Sequence, residues 1–220
     1  MVFPFLLALA LGFKHSYDAD HLLAISNFLP RAKSLMSAIK ISLSWAAGHM
    51  LTAGIVTAIL FFFKETFFSF ILSYFETIVG VMLIVLGILS LAAVWANRNS
   101  HDHDHVHDVG ESHAHKHIHL FDDEKHIHHN MFWIGIIHGL ASNDELILLL
   151  TVTLTLTSIF SVLLGTFIFS LGVVLGMIVF SLILTTPLLK IHSWKIQTSI
   201  TVLAGILSIG YGVFSLVGFL

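Results

Sequence analysis

Apolar runs of roughly twenty residues recur along the whole chain, and a helix of that length crosses the roughly 30 Å of bilayer hydrocarbon. Inside a bilayer each backbone N–H and C=O must be paired within the segment or its close neighbours, so such runs fold as helices. Only 10% of the 220 residues are charged and 56% are hydrophobic. A soluble domain carries about 25% charged residues to face water. The expected fold class is therefore all-α, a polytopic membrane protein of about six transmembrane helices, residing as a multi-pass protein in the cell membrane. The chain has no cysteine, which removes disulfides, thiolate ligands and thiol catalysis. A net charge of −3 gives no footprint for nucleic acid. The apolar start at Val2 has no basic residues before it and runs into a longer span, unlike a cleavable signal peptide.

Spans are expected at 2–29, 37–63, 70–97, 131–153, 158–187 and 196–219. Pro30-Arg31 closes the first, Lys64-Glu65 marks a turn, Asn97-Arg98 ends the third and Pro187 ends the fifth. Basic residues near span ends orient the chain: Arg31, Lys33 and Lys40 in loop 1–2, Arg98 in loop 3–4, Lys190 and Lys195 in loop 5–6. Those loops are expected in the cytoplasm, with both termini outside. Lys190 and His192 read as orientation signals.

The two halves resemble each other at a nearly constant offset. His15 and His138 are 123 residues apart, Gly48 and Gly172 are 124 apart, and Gly87-Ile88-Leu89-Ser90-Leu91 matches Gly212-Val213-Phe214-Ser215-Leu216 at 125. Three spans per half is an odd number, so the second half is inverted, an arrangement whose sites lie near the midplane between repeats. The domains read as 1–97, a three-span half; 98–130, a His-rich cytoplasmic loop; and 131–220, the second half. Gly172 and Gly176, spaced G-x-x-x-G, allow close helix approach.

Polar residues inside spans locate the chemistry. The first span contains Lys14-His15-Ser16-Tyr17-Asp18-Ala19-Asp20-His21. Each charge there costs about 2.5–3.5 kcal/mol on insertion scales, so the patch must face a cavity, pair internally or bind something. Lys14 and Asp18, four apart, can neutralise each other. On a continuous helix Asp20 points away from His15 and His21; convergence requires a broken helix or partners from other spans, and a break is tolerated only where it lines a cavity. Two neutral imidazoles and a carboxylate suit nickel, cobalt or zinc better than calcium or magnesium. A proton relay or a buried hydrogen-bonded network is the alternative. His49, in Gly48-His49-Met50, either completes the site or is satisfied by hydrogen bonds. His138, Ser142, Asn143, Asp144 and Glu145 form a second patch, either on an ion pathway or near an interface. Residues 101–129 hold eleven of the sixteen histidines, interleaved with acids in His101-Asp102-His103-Asp104-His105, a compositional signal for a metal buffer or donor. Such a tract cannot bury a core and is expected to be disordered without metal.

His15-Ser16-Tyr17-Asp18-Ala19-Asp20-His21 matches H-x4-D-H and resembles the first motif of the nickel/cobalt permease family. Gly48-His49 resembles that family's second motif, and Gly139-Leu140 through Asp144-Glu145-Leu146 a later acidic one. About six spans fit the family's shorter branch. The resemblance implies uptake of Ni2+ or Co2+, with His15, Asp20 and His21 in selection. His49, His138 and Asp144 are further candidate ligands, and with Asp18 these make up the candidate metal residues. On this reading the ion is cargo with no resident cofactor, the lipid bilayer surrounds the chain, and a cytoplasmic metallochaperone is a candidate partner. A His-rich loop is more familiar in related nickel/cobalt exporters, so efflux is the alternative. An intramembrane metalloenzyme is a third reading, which the absence of H-E-x-x-H disfavours. No ATP-binding motif is visible, so transport would run on a gradient or the membrane potential.

Overall fold

The computed structural model describes residues 3–63, 69–99, 124–141, 159–191 and 193–217, and every regular element among them is helical. The helices are α1 (Phe3–His15), α2 (Ala19–Ser26), α3 (Leu35–Phe63), α4 (Ser69–Asn99), α5 (Glu124–Ala141), α6 (Ile159–Ile191) and α7 (Trp194–Val217), with a 3-10 turn at Leu29–Arg31. Four described stretches are long and apolar enough to cross a bilayer: Leu35–Ile59, Glu76–Ala96, Ile159–Ile191 and Trp194–Val217. The shorter Phe5–His15 is also apolar. The surface pattern is inside-out relative to a soluble protein. Ile55, Ile88, Ile183, Leu203 and Phe214 are exposed, while Ser42, Thr57, Ser90, Thr166, Ser181 and Ser208 are buried. Outward apolar stripes on this scale belong against lipid.

Three sequence expectations need correction. The fifth span does not end at Pro187, because α6 runs on to Ile191. Proline removes only one helical N–H, and within a bundle neighbouring groups tolerate it; Thr186 Oγ1 donates to Leu182 O at 2.6 Å beside it. The fourth helix begins at Glu124 rather than 131, so the tail of the segment read as a loop over 98–130 is helical. Its cause is a buried stripe at Ile127, Met131, Ile134 and His138, which extends the packed face by a full turn. The first span is two helices, not one. Residues 100–123, which hold most of the His-rich tract, and 142–158 lie outside the described residues, as do Lys64-Glu65 and His192.

The inverted repeat is visible as duplicated contacts. α1 packs on α6, α3 on both α5 and α6, and α4 on α7. A Cβ added at Gly12 would run into the Phe169 carbonyl, and one added at Gly135 into that of Trp45. Likewise Gly172 lies on the backbone of Leu9 and Phe13, and Gly48 on that of Phe132 and Ile136. Adding 123 to an α1 residue, or 124 to an α3 residue, turns each contact of the pair into the other. The same operation exchanges the Ser42–Ser181 hydroxyl contact with Thr57–Thr166, and an offset of 125 exchanges Gly80 against Gly212 with Gly205 against Gly87. Contacts ascend together along α1 and α6 and along α3 and α5, but oppose along α4 and α7. That is the direction pattern of six alternating spans in two inverted halves. Gly176, the second glycine of the G-x-x-x-G pair, lies against Ser16.

Equivalent positions should fail equally. Gly12→Val and Gly135→Val are each expected to lower stability in detergent by about 1–3 kcal/mol or more, since a rigid backbone rather than a side chain blocks the new atoms. Gly54→Ala, with nothing within 4 Å of its added Cβ, should leave the melting temperature unchanged or slightly raised. Thermal melts of the three variants check this; a benign Gly12→Val would disprove the tight crossing.

Candidate metal centre at the break in the first span

α1 stops at His15, and its last four carbonyls all find donors within a few residues. Gly12 O accepts from Ser16 N (3.1 Å), Lys14 O from Tyr17 N (3.0 Å) and His15 O from Asp18 N (3.0 Å). Phe13 O accepts from Ser16 Oγ at 2.6 Å. The break is therefore affordable inside a bilayer, where an unpaired carbonyl is expensive. Asp18 then turns extended, with φ −66° and ψ 146°, and α2 begins at Ala19.

An aspartate at a helix N-cap usually turns its carboxylate onto the first free N–H groups. Asp18 makes no such bond. Its Oδ2 accepts instead from His15 Nδ1 at 2.7 Å, and its Oδ1 lies 3.4 Å from Lys14 Nζ. An ionised carboxylate only accepts, so His15 carries its proton on Nδ1 and keeps Nε2 as the basic nitrogen. His21 reaches the same tautomer differently: its Nδ1–H donates to the His15 carbonyl at 3.0 Å, fastening the start of α2 to the end of α1. On α5, His138 Nδ1–H donates to Ile134 O at 3.0 Å.

The break brings the imidazoles together. The His15 and His21 rings meet edge to face at 4.4 Å between centroids, with His49 from α3 at 5.6 Å and 5.4 Å from them. His138 from α5 is 5.4 Å from His21. All four are buried, none more than 3% exposed. His15, His21 and His49 each offer a ring nitrogen, and these atoms lie within 4.8 Å of one another. Asp20, two residues past the break, brings Oδ2 to 3.7 Å from His21 Nε2. Nitrogens bound to one tetrahedral ion at about 2.0–2.1 Å stand roughly 3.4 Å apart, so the set needs only a small contraction to share an ion. Its donor chemistry is that of nickel, cobalt or zinc rather than magnesium or calcium.

Of the residues expected from sequence, His15, Asp20, His21, His49 and His138 therefore converge. Asp18 touches the cluster through His15, and Asp144 lies outside the described residues, with Glu145. Sequence reading missed Trp45, which is fully buried and packs 5.0 Å from His21, 5.1 Å from His49 and 5.6 Å from His138. Its spacing of four from His49 on one helix was the available signal. Its Nε1–H has no acceptor among the described residues, an omission that costs about 1–3 kcal/mol.

Lipid-facing helices in inverted halves around a cluster of buried histidines define an integral multi-pass membrane protein of transporter type. The chain belongs to the family described as cytochrome c biogenesis protein transmembrane region, whose pattern matches residues 5–214. Having no cysteine, it offers neither a thiol relay nor a CxxCH haem attachment. A curated relative, the urease accessory protein UreH of Bacillus sp. (strain TB-90), is 26% identical over 208 residues, covering 94% of this chain and 87% of that protein. No solved structure matches the chain significantly.

Proposed function

We propose that the protein is a secondary permease that carries a divalent transition-metal ion, nickel or cobalt, into the cell. The observation that supports it most is the set of three buried imidazoles whose ring nitrogens lie within 4.8 Å of one another inside a membrane protein. The first-motif resemblance to nickel/cobalt permeases adds the choice of metal, and the relative's name places that protein in the service of urease. His15, His21 and His49 ligate the ion, Asp20 supplies charge, and His138 and Asp144 are further ligands on the pathway. Asp18 acts by holding His15. The ion is cargo and not a resident cofactor, and no bond of it is made or broken beyond ligand exchange. An inward divalent ion gains roughly 4–5 kcal/mol per 100 mV of potential, enough to drive accumulation without ATP. The His-rich tract over 101–129 receives the ion in the cytoplasm and passes it to a metallochaperone.

Flux of radioactive nickel into proteoliposomes, with and without competitors, tests the reading. Cobalt should compete at comparable concentration, and a thousandfold excess of magnesium should leave nickel flux nearly intact. Strong inhibition by magnesium would rule out the imidazole ligand set, because magnesium takes oxygen ligands and keeps its water. Efflux is the second reading, suggested by the His-rich tract, and loss of the gene separates the two. Metal-starved cells mean uptake, and metal-sensitive cells mean export.

A further inference from the structure

Trp45 has a counterpart that shows what packing alone requires at its position. The repeat operation carries Trp45 onto Phe169, 124 residues on, as it carries Gly48 onto Gly172. It also pairs His15 with His138. The two aromatic contacts are correspondingly alike: Phe169 to His15 is 5.5 Å between centroids, and Trp45 to His138 is 5.6 Å. A phenyl ring thus serves one half. The other half holds an indole, larger and with an N–H that finds no acceptor among the described residues. The indole is 0% exposed and in ring contact with three of the four clustered histidines.

We infer that the Trp45 Nε1–H is the subsite for an oxygen ligand, water or hydroxide, that the ion keeps as it enters the imidazole cluster. The inference rests on the metal reading above. Three imidazoles leave a four-coordinate ion one open position, and an oxygen there needs an outer partner once bulk water is gone. Tryptophan suits that position because its indole donates and never accepts, so it recognises an acceptor on the ion and repels none of the cation's own ligands. Desolvation is then incomplete by one oxygen, which lowers the cost of stripping the ion. Trp45 is a positioning residue, acting on the ion through its bound oxygen.

The test uses the full chain, purified in detergent, with Trp95, Trp133 and Trp194 replaced by phenylalanine so that one indole remains; all three are more than half exposed. With 15N-labelled indole, Zn2+ is added as a diamagnetic probe. The single Nε1–H resonance is expected to move downfield and exchange more slowly with solvent on loading. In parallel, Trp45→Phe in the native chain should weaken Zn2+ binding about tenfold, the size of one hydrogen bond to a charged group, while leaving the melting temperature close to wild type. His21→Ala is the reference. If His21→Ala binds Zn2+ as tightly as the native chain while the indole resonance stays still, the cluster is not the metal site and the metal reading falls with the inference. If His21→Ala abolishes binding yet the native indole resonance stays still on loading, the oxygen subsite alone is wrong. Should Trp45→Phe fail to fold, the resonance experiment on the retained indole still decides.

Discussion

His21→Ala should reduce nickel or cobalt flux more than any other single change, by at least about tenfold, corresponding to 1.4 kcal/mol or more. His21 touches His15, Trp45, His49 and His138, its Nε2 faces Asp20, and its Nδ1 ties α2 to α1. Removing it takes a ligand, and also the bond that holds the break closed. His15→Ala, His49→Ala and Asp20→Asn should each fall at least about tenfold as well, because an ion stripped of most of its water has no ready substitute for a missing donor. His21→Asn should not rescue, since an amide is a poor ligand for these metals. By contrast, replacing residues 101–123 with a flexible linker should remove most bulk metal binding yet keep substantial transport at saturating metal. The deletion stops at 123 because Ile127 is buried in the core and Glu124 already begins α5. Flux in proteoliposomes, normalised to folded protein by size exclusion, ranks the variants. A transport-dead deletion beside active His15 and His21 variants would place the ion path elsewhere.

Asp18→Asn should weaken metal binding by about 10–100-fold although Asp18 need not touch the ion. A carboxylate bonded to the far nitrogen of a ligating imidazole fixes its tautomer and raises its basicity, and losing such a partner has that cost elsewhere. An asparagine keeps an acceptor for His15 Nδ1 but loses the charge. Lys14→Gln separates this role from simple ion pairing. Its side chain is 68% exposed, with the ammonium 3.4 Å from Asp18, a pair of the kind that contributes little. Nickel or cobalt titrations should show Lys14→Gln within about twofold of wild type. Equal losses in the two variants would mean the pair, and not the orientation of His15, carries the effect.

The membrane class, the odd-numbered inverted halves and the H-x4-D-H patch were legible in the residues alone. Each is a local or periodic property. Apolar run length sets spans, one nearly constant offset marks the repeat, and the expense of a buried charge singles out Lys14, Asp18 and Asp20. The break in the first span was one of two open ways for Asp20 to join His15 and His21, the other being partners from other spans, and the structure decided for the break. Helix ends were less secure. Pro187 looks like a terminator because proline stops isolated helices, whereas packing carries α6 through it. Residues 124–130 look like a polar loop because their histidines mask the buried Ile127.

Tertiary structure decided which polar residues meet. Nothing near His49 or His138 in sequence says that either ring lies beside His21. That follows from α3 and α5 crossing where Gly48 and Gly135 let backbones touch, so that side chains 28 to 117 positions from His21 share one small volume. The role of Asp18 was also undecidable from spacing. A residue three after His15 and four after Lys14 is equally a cap, a ligand or a salt-bridge partner, and only the extended backbone at the break turns its carboxylate onto His15. The same holds for Trp45, an ordinary core aromatic by composition, which becomes distinctive once its indole lies among three imidazoles with a donor that none of the described residues satisfies. Composition fixes what a bilayer tolerates, residue by residue; convergence depends on how closely two helices approach, and that is set by pairs of glycines far apart in the chain.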